Sequence, residues 1–194
     1  MYQKLTISLL ICAAAFLPKA SAQQAWRIVP GQSIGLTYLG EPSDSLAQRL
    51  GNADGGDAAM GKAWAVYYSK DDDRHVKDSS RYLAVYLTRD EPVGMRVRQI
   101  RINTPSFRAN NDVKVGSSLQ KIRANYPGML RAAVYEEAGT HTRYYLYDAV
   151  RQGIAFEINT HSNICTAITV HDTTKSIAST YLTAPGMERM KKLK

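Results

Sequence analysis

Cysteine is nearly absent: the 194 residues contain Cys12 and Cys165 only. Cys12 lies inside an apolar N-terminal stretch read below as a removable leader, so the mature chain keeps one thiol and cannot form an intramolecular disulfide. Its fold must therefore rest on a hydrophobic core. Long apolar runs are missing too. The longest, Leu5 to Leu17, is well short of the ~20 residues a membrane-spanning helix requires. No Asn-x-Ser/Thr acceptor and no G-x-S-x-G nucleophile elbow occur, and phenylalanine appears three times against twelve tyrosines.

What the N-terminus does contain is the pattern of an export signal. Lys4 supplies a positive start, the apolar run follows, and Ala20-Ser21-Ala22 offers the small-x-small site a signal peptidase accepts. The expected products are a leader over residues 1–22 and a mature chain from Gln23, exported to the periplasm or outside the cell. Bulky Ile11 before Cys12 argues against lipoprotein processing. Loss of Lys4 and Lys19 with the leader leaves 23 basic and 17 acidic residues, so the net charge falls from +8 to +6. Part of that excess sits in Arg189, Lys191, Lys192 and Lys194, a basic tail over residues 175–194.

Two stretches of the mature chain share a spacing. Leu39-Gly40 is followed by Leu46 and Leu50, and Val115-Gly116 by Ile122 and Tyr126; each i, i+4 pair marks one face of a short helix. Gly51 stops the first helix and Pro127-Gly128 the second. Period-two alternation then predicts strands at Ala63–Ser69, Leu83–Leu87 and Arg98–Asn103, and again at Arg143–Asp148, Ile154–Ile158 and Thr166–His171, with an extra strand at Ala132–Glu136. The offset between matched elements drifts from 76 residues at the helices to 68 at the last strands. The expected fold class is α+β: two tandem helix–strand–strand–strand repeats, residues 23–108 and 109–174, forming antiparallel sheet with short helices packed on one face. Leu46, Leu50, Val85, Leu87, Ile100, Ile102, Ile122, Ile154, Phe156, Ile158, Ile168 and Val170 are the expected core.

This order, a glycine before and after a short helix and then strands, resembles the tandem arrangement of the β-lactamase-inhibitory-protein fold and the single unit of outer-membrane assembly lipoproteins. Leu50-Gly51, Asp57-Ala58-Ala59-Met60-Gly61-Lys62-Ala63-Trp64 and Thr104-Pro105-Ser106-Phe107 are similar to a family of uncharacterised exported proteins from Bacteroidetes-type bacteria. The resemblance implies a fold and a compartment, and no activity.

Several chemistries fail on residue type or spacing. Gly56 to Lys62 fits G-x-x-x-x-G-K, but Ala63 stands where a phosphate loop needs a hydroxyl, and a strand rather than a helix is expected next. It reads as a glycine-rich connection. His161, Cys165, His171, Asp172 and His141 contain metal-ligating types without the paired spacing of a structural zinc site. In an extended strand Cys165 and His171 share parity opposite Ile168 and Val170, yet lie roughly 20 Å apart. Cys165 has no helix N-terminus to activate it. Glu136-Glu137 and Asp71–Asp73 read as solvated hairpin ends. The expectation is a non-enzymatic protein with no cofactor, no metal and no nucleic-acid partner.

Tyrosine is the positive signal. With Leu83, Val85 and Leu87 facing the core, Tyr82 and Tyr86 fall on the opposite face about 13 Å apart. Neighbouring strands offer Tyr67 or Tyr68, and Tyr145 with Tyr147 or else Tyr144. Tyrosine joins apolar area to a polar tip and suits a half-wet recognition surface. The candidate binding residues are Tyr67, Tyr82, Tyr86, Tyr145 and Tyr147, with an envelope or extracellular protein as partner. The alternatives are an anionic glycan or lipid surface held by the basic tail and the Arg96, Arg98 and Arg101 region, and a hydrolase or metal-dependent enzyme with an unrecognised site.

Overall fold

The structure, a computed structural model, describes residues 24–70, 77–179, 184–187 and 190–193. The expected leader, its cleavage site and the Asp71-to-His75 loop lie outside the described residues.

A small sheet of two-residue strands, β1 (Ile28–Val29), β2 (Ser33–Ile34) and β3 (Thr37–Tyr38), opens the fold. Helix α1 (Ser43–Leu50) follows, then β4 (Gly55–Ala59), β5 (Lys62–Lys70), β6 (Lys77–Asp90) and β7 (Gly94–Ile102). Helix α2 (Leu119–Asn125) precedes β8 (Leu130–Glu137), β9 (Arg143–Ala149), β10 (Ile154–Asn159) and β11 (Ile164–His171); β12 (Met190–Leu193) comes last. The last nine strands form one antiparallel sheet in the order β12-β8-β9-β10-β11-β7-β6-β5-β4.

This corrects the expected fold class. Among the described residues the protein is mostly β, 51% strand against 15% helix, and it is not a pair of α+β helix-on-sheet repeats. β7 pairs directly with β11, Ile102 opposite Ile168, so strands from both stretches merge into a single sheet. The helices, eight and seven residues long, are too short to cover it, and each buries fully one side chain, Leu46 or Ile122. The small sheet and loop residues Val113, Val115 and Met129 complete the cover of that face.

Local chemistry explains the elements. Ser118 caps α2 by accepting a hydrogen bond from the Lys121 amide at 3.2 Å. The glycine-rich stretch expected as a connection instead makes the β4–β5 hairpin. Met60 and Gly61 at its tip both have positive φ, 52° and 73°, the requirement of a type I′ turn.

One face of the large sheet carries the main core. Val85, Ile100, Ile102, Phe156, Ile158, Ile168 and Val170 pack there with Leu46, Ile122, Ile28 and Ile34. Every expected core residue is buried except Leu50, which is half-buried against the cluster. Two bulges adjust the register. Between Tyr86 and Leu87 the partner shifts from Gln99 to Val97, which makes Arg98 the extra residue and keeps Leu87 and Val97 in the core. Between Glu157 and Ile158 the partner shifts from Ala167 to Cys165, which leaves Thr166 extra. That slip turns Cys165 into the main core, whereas His171 points to the other face; the parity expected for the pair does not survive it.

Cys165 is 1% exposed, and burial pushes its thiol up to about 12. An unfolded thiol ionises near ~8.5, so above that pH the unfolded chain loses a proton the native state keeps. The stabilising contribution is complete below the unfolded value and falls away as pH rises towards the folded one. Iodoacetamide at pH 8 should leave the folded protein unlabelled and modify Cys165 once urea unfolds the chain. Rapid labelling of the native protein would contradict this burial.

Candidate functional site

Alternation gives the sheet a second apolar face. Trp64 and Val66 of β5 pack with Tyr82, Ala84 and Tyr86 of β6, and the Trp64 and Tyr86 rings lie 5.1 Å apart. Further along, Ala133, Leu146 and Ala155 form a smaller cluster. Between them β7, β9, β10 and β11 place Arg101, Asp148, Glu157, Thr169 and His171 on this side, all buried.

The chain's own C-terminal segment covers these polar groups. Asp148 accepts hydrogen bonds from the Ser176 hydroxyl at 2.7 Å and the Ile177 amide at 3.2 Å, and its other oxygen meets His171 Nε2 at 2.9 Å. Ile177 and Ala178 then pack on the smaller cluster. Arg101 and Glu157 form a bidentate buried ion pair, and Arg101 Nε also donates to the Pro185 carbonyl at 3.1 Å. The Tyr82 hydroxyl donates to the same carbonyl at 2.5 Å. Pro185-Gly186 is a tight turn closed by Met187 N–H to Ala184 O at 3.0 Å, with Gly186 at φ 80°. A side chain at 186 would begin 2.5 Å from the Tyr82 hydroxyl, so glycine is required for this seat. Met190–Leu193 of the basic tail then joins the sheet edge beside β8.

The five candidate tyrosines do not form one surface. Tyr82 and Tyr86 share the second face as expected, but both are buried, at 7% and 5% exposure. The C-terminal turn covers Tyr82, and burial raises the Tyr86 phenol above its ordinary pKa. Tyr67 lies on the main-core side, as do Tyr145 and Tyr147, several strands away; Tyr68 is the β5 tyrosine that joins Tyr82 and Tyr86. Tyr145 and Tyr147 meet edge to face at 6.1 Å and carry Arg131 and Arg123 over their rings. Truncating Tyr82 and Tyr86 together therefore removes packed side chains and reports on stability before docking.

Two hollows on this face border the aromatic cluster. One, of about 510 Å³, lies towards the β4 edge between Trp64, Tyr68, Tyr82 and the Pro185-Gly186 turn. The other, of about 380 Å³, is polar and abuts Tyr86, with Lys62, Asp90, Arg98, Asp172 and Lys175 around it. Arg98 pairs with Asp90 there, and Thr174 hydrogen bonds hold the Asp172 carboxyl below its usual range.

The remaining chemical candidates separate. Ser176 donates to Asp148 rather than to His171, so the imidazole cannot take its proton in the manner of a Ser-His-Asp triad. Cys165 is buried away from either hollow. His141 and His161 are exposed in turns, and no three His, Cys, Asp or Glu side chains gather as a metal site among the described residues. Arg96 donates to the Gly40 carbonyl while Arg98 and Arg101 each face an acid, so that region offers no unmatched cationic cluster.

The buried polar network escaped the sequence reading. Arg101 lies between Ile100 and Ile102, and Glu157 between Phe156 and Ile158, positions that mark the face opposite the core. Nothing in the alternation reveals that a distant, weakly apolar segment covers that face.

No protein-family model matches the chain, and no curated protein matches it. Among solved structures it is similar to an extracellular protein containing an SCP domain from Bacillus anthracis str. Ames, at 12% identity and a TM-score of 0.42, over 69% of this chain and 44% of that one. It is also similar to a cysteine-rich secretory protein from Staphylococcus aureus subsp. aureus Mu50, at 13% identity and a TM-score of 0.44, over 74% of this chain and 48% of that one. The chain thus spans less than half the length of either structure. Among the described residues no helix is long and apolar enough to cross a membrane.

Proposed function

We propose that this chain is an exported, non-enzymatic binding protein, and that an envelope or extracellular protein docks on the second face of its large sheet at the β4–β6 end. The observation that supports this reading is the placement of both aromatic-bordered hollows on that face. Half-buried Tyr68 stands at the end the C-terminal turn leaves open. The main-core face has its own cover of helices and small sheet. Export rests on the leader pattern of residues 1–22.

The test is capture from envelope extract by immobilised mature protein at low and high salt. Wild type should retain a discrete partner at both, since an aromatic interface is little screened. Tyr68→Ala, folded by circular dichroism, should retain at least roughly fivefold less, the loss when an anchor worth more than 1 kcal/mol is removed. Equal retention by the variant, or binding that collapses with salt, would defeat the proposal; the second outcome would favour an anionic glycan or lipid surface.

A further inference from the structure

The hollow at the β4 edge has a composition unusual for so basic a chain. Trp64 and Tyr82 form its floor, Tyr68 is a half-exposed wall, and Asp57 on exposed β4 is the one charged residue lining it among the described residues. Two neighbouring cations are matched elsewhere: Lys77 is bound to Asp54, and Arg101 to Glu157. Glycines let the aromatic walls stand close, since a side chain at Gly55 would begin 3.3 Å from the Tyr68 hydroxyl and one at Gly186 2.5 Å from that of Tyr82.

Aromatic faces carry negative quadrupole potential and attract cations, most strongly where water is excluded. A carboxylate at the rim adds an opposite charge, and no lysine or arginine lines the hollow among the described residues. We infer that this hollow is a binding site for a small alkylammonium group, seated against Tyr68 with its charge towards Asp57. Its volume, about 510 Å³, falls within the range of small-molecule sites. The site shares a face with the docking surface proposed above but needs no protein partner, so either can fail alone.

Choline is the probe, and 3,3-dimethylbutan-1-ol, its uncharged isostere, the control. Trp26 and Trp64 are the two tryptophans, so a Trp26→Phe background makes emission report on Trp64. Choline should change that emission saturably, and the isostere should bind roughly tenfold more weakly, the contrast that a cation–π contact and a facing carboxylate produce. Asp57→Asn, at an exposed strand position, should weaken choline by several-fold and leave the isostere unaffected. No saturable response to choline, equal binding of the isostere, or an unchanged affinity in Asp57→Asn would overturn the assignment. The isostere comparison uses intact Asp57 and Tyr68, so it stands even if a variant misfolds.

Discussion

Arg101→Met should destabilise the protein by about 3–5 kcal/mol, because it strands the buried Glu157 carboxylate. Both side chains are about 5% exposed, and the guanidinium is the one cationic partner the carboxylate has among the described residues. The same substitution removes one of two donors to the Pro185 carbonyl and loosens the C-terminal turn over Tyr82. Arg101→Met with Glu157→Leu should recover most of the loss, since replacing both partners of a buried pair leaves no orphan charge. Urea midpoints of the three proteins, compared at equal m-value, check this. If the single variant were as stable as wild type, the pair would be solvated and the C-terminal cover misplaced.

Phe156→Ala should cost a similar amount, about 3–5 kcal/mol, for a different reason. Phe156 is fully buried at the middle of β10, and its ring lies 4.9 Å from that of Tyr126 at the end of α2. Its removal opens a cavity at the contact between helix and sheet, which neighbours on a hydrogen-bonded ladder cannot collapse to fill. Thermal or urea unfolding measures the loss. A cost under about 1 kcal/mol would mean that α2 does not pack on β10 as described.

Seven strands of the large sheet, β5 to β11, were legible in the sequence because the main core imposes alternation, and Leu83 to Leu87 and Ile154 to Ile158 carry it cleanly. Strands β4, read as a connection, and β12, read as a tail, were not legible. The fold class was not. Two short amphipathic helices suggested a cover for the sheet, but sequence spacing does not reveal that β7 and β11 pair or how much area two turns of helix can hide. Bulges were invisible too: one extra residue at Thr166 reverses the face of Cys165, and composition carries no mark of it. The strands β1, β2 and β3 hold two residues each, too few for any period.

The tyrosine face was half legible. Alternation placed Tyr82 and Tyr86 together, away from the main core, and the structure keeps them there. The burial of Tyr82 was not readable, because it depends on a turn at Pro185-Gly186 about a hundred residues later in the chain. Tyr68 rather than Tyr67 belongs with them, a choice that parity in β5 alone leaves open until Trp64 and Val66 fix the register.

Site-specific photo-crosslinking tests the docking proposal most directly. A photoreactive residue installed at Ser79, which is exposed and lines the β4-edge hollow, would be compared with one at Gln120, exposed on α2 over the opposite face. Docking on the second face requires a discrete protein adduct from position 79 in envelope extract and none from position 120. An adduct from position 120 alone, or equal adducts from both, would contradict it.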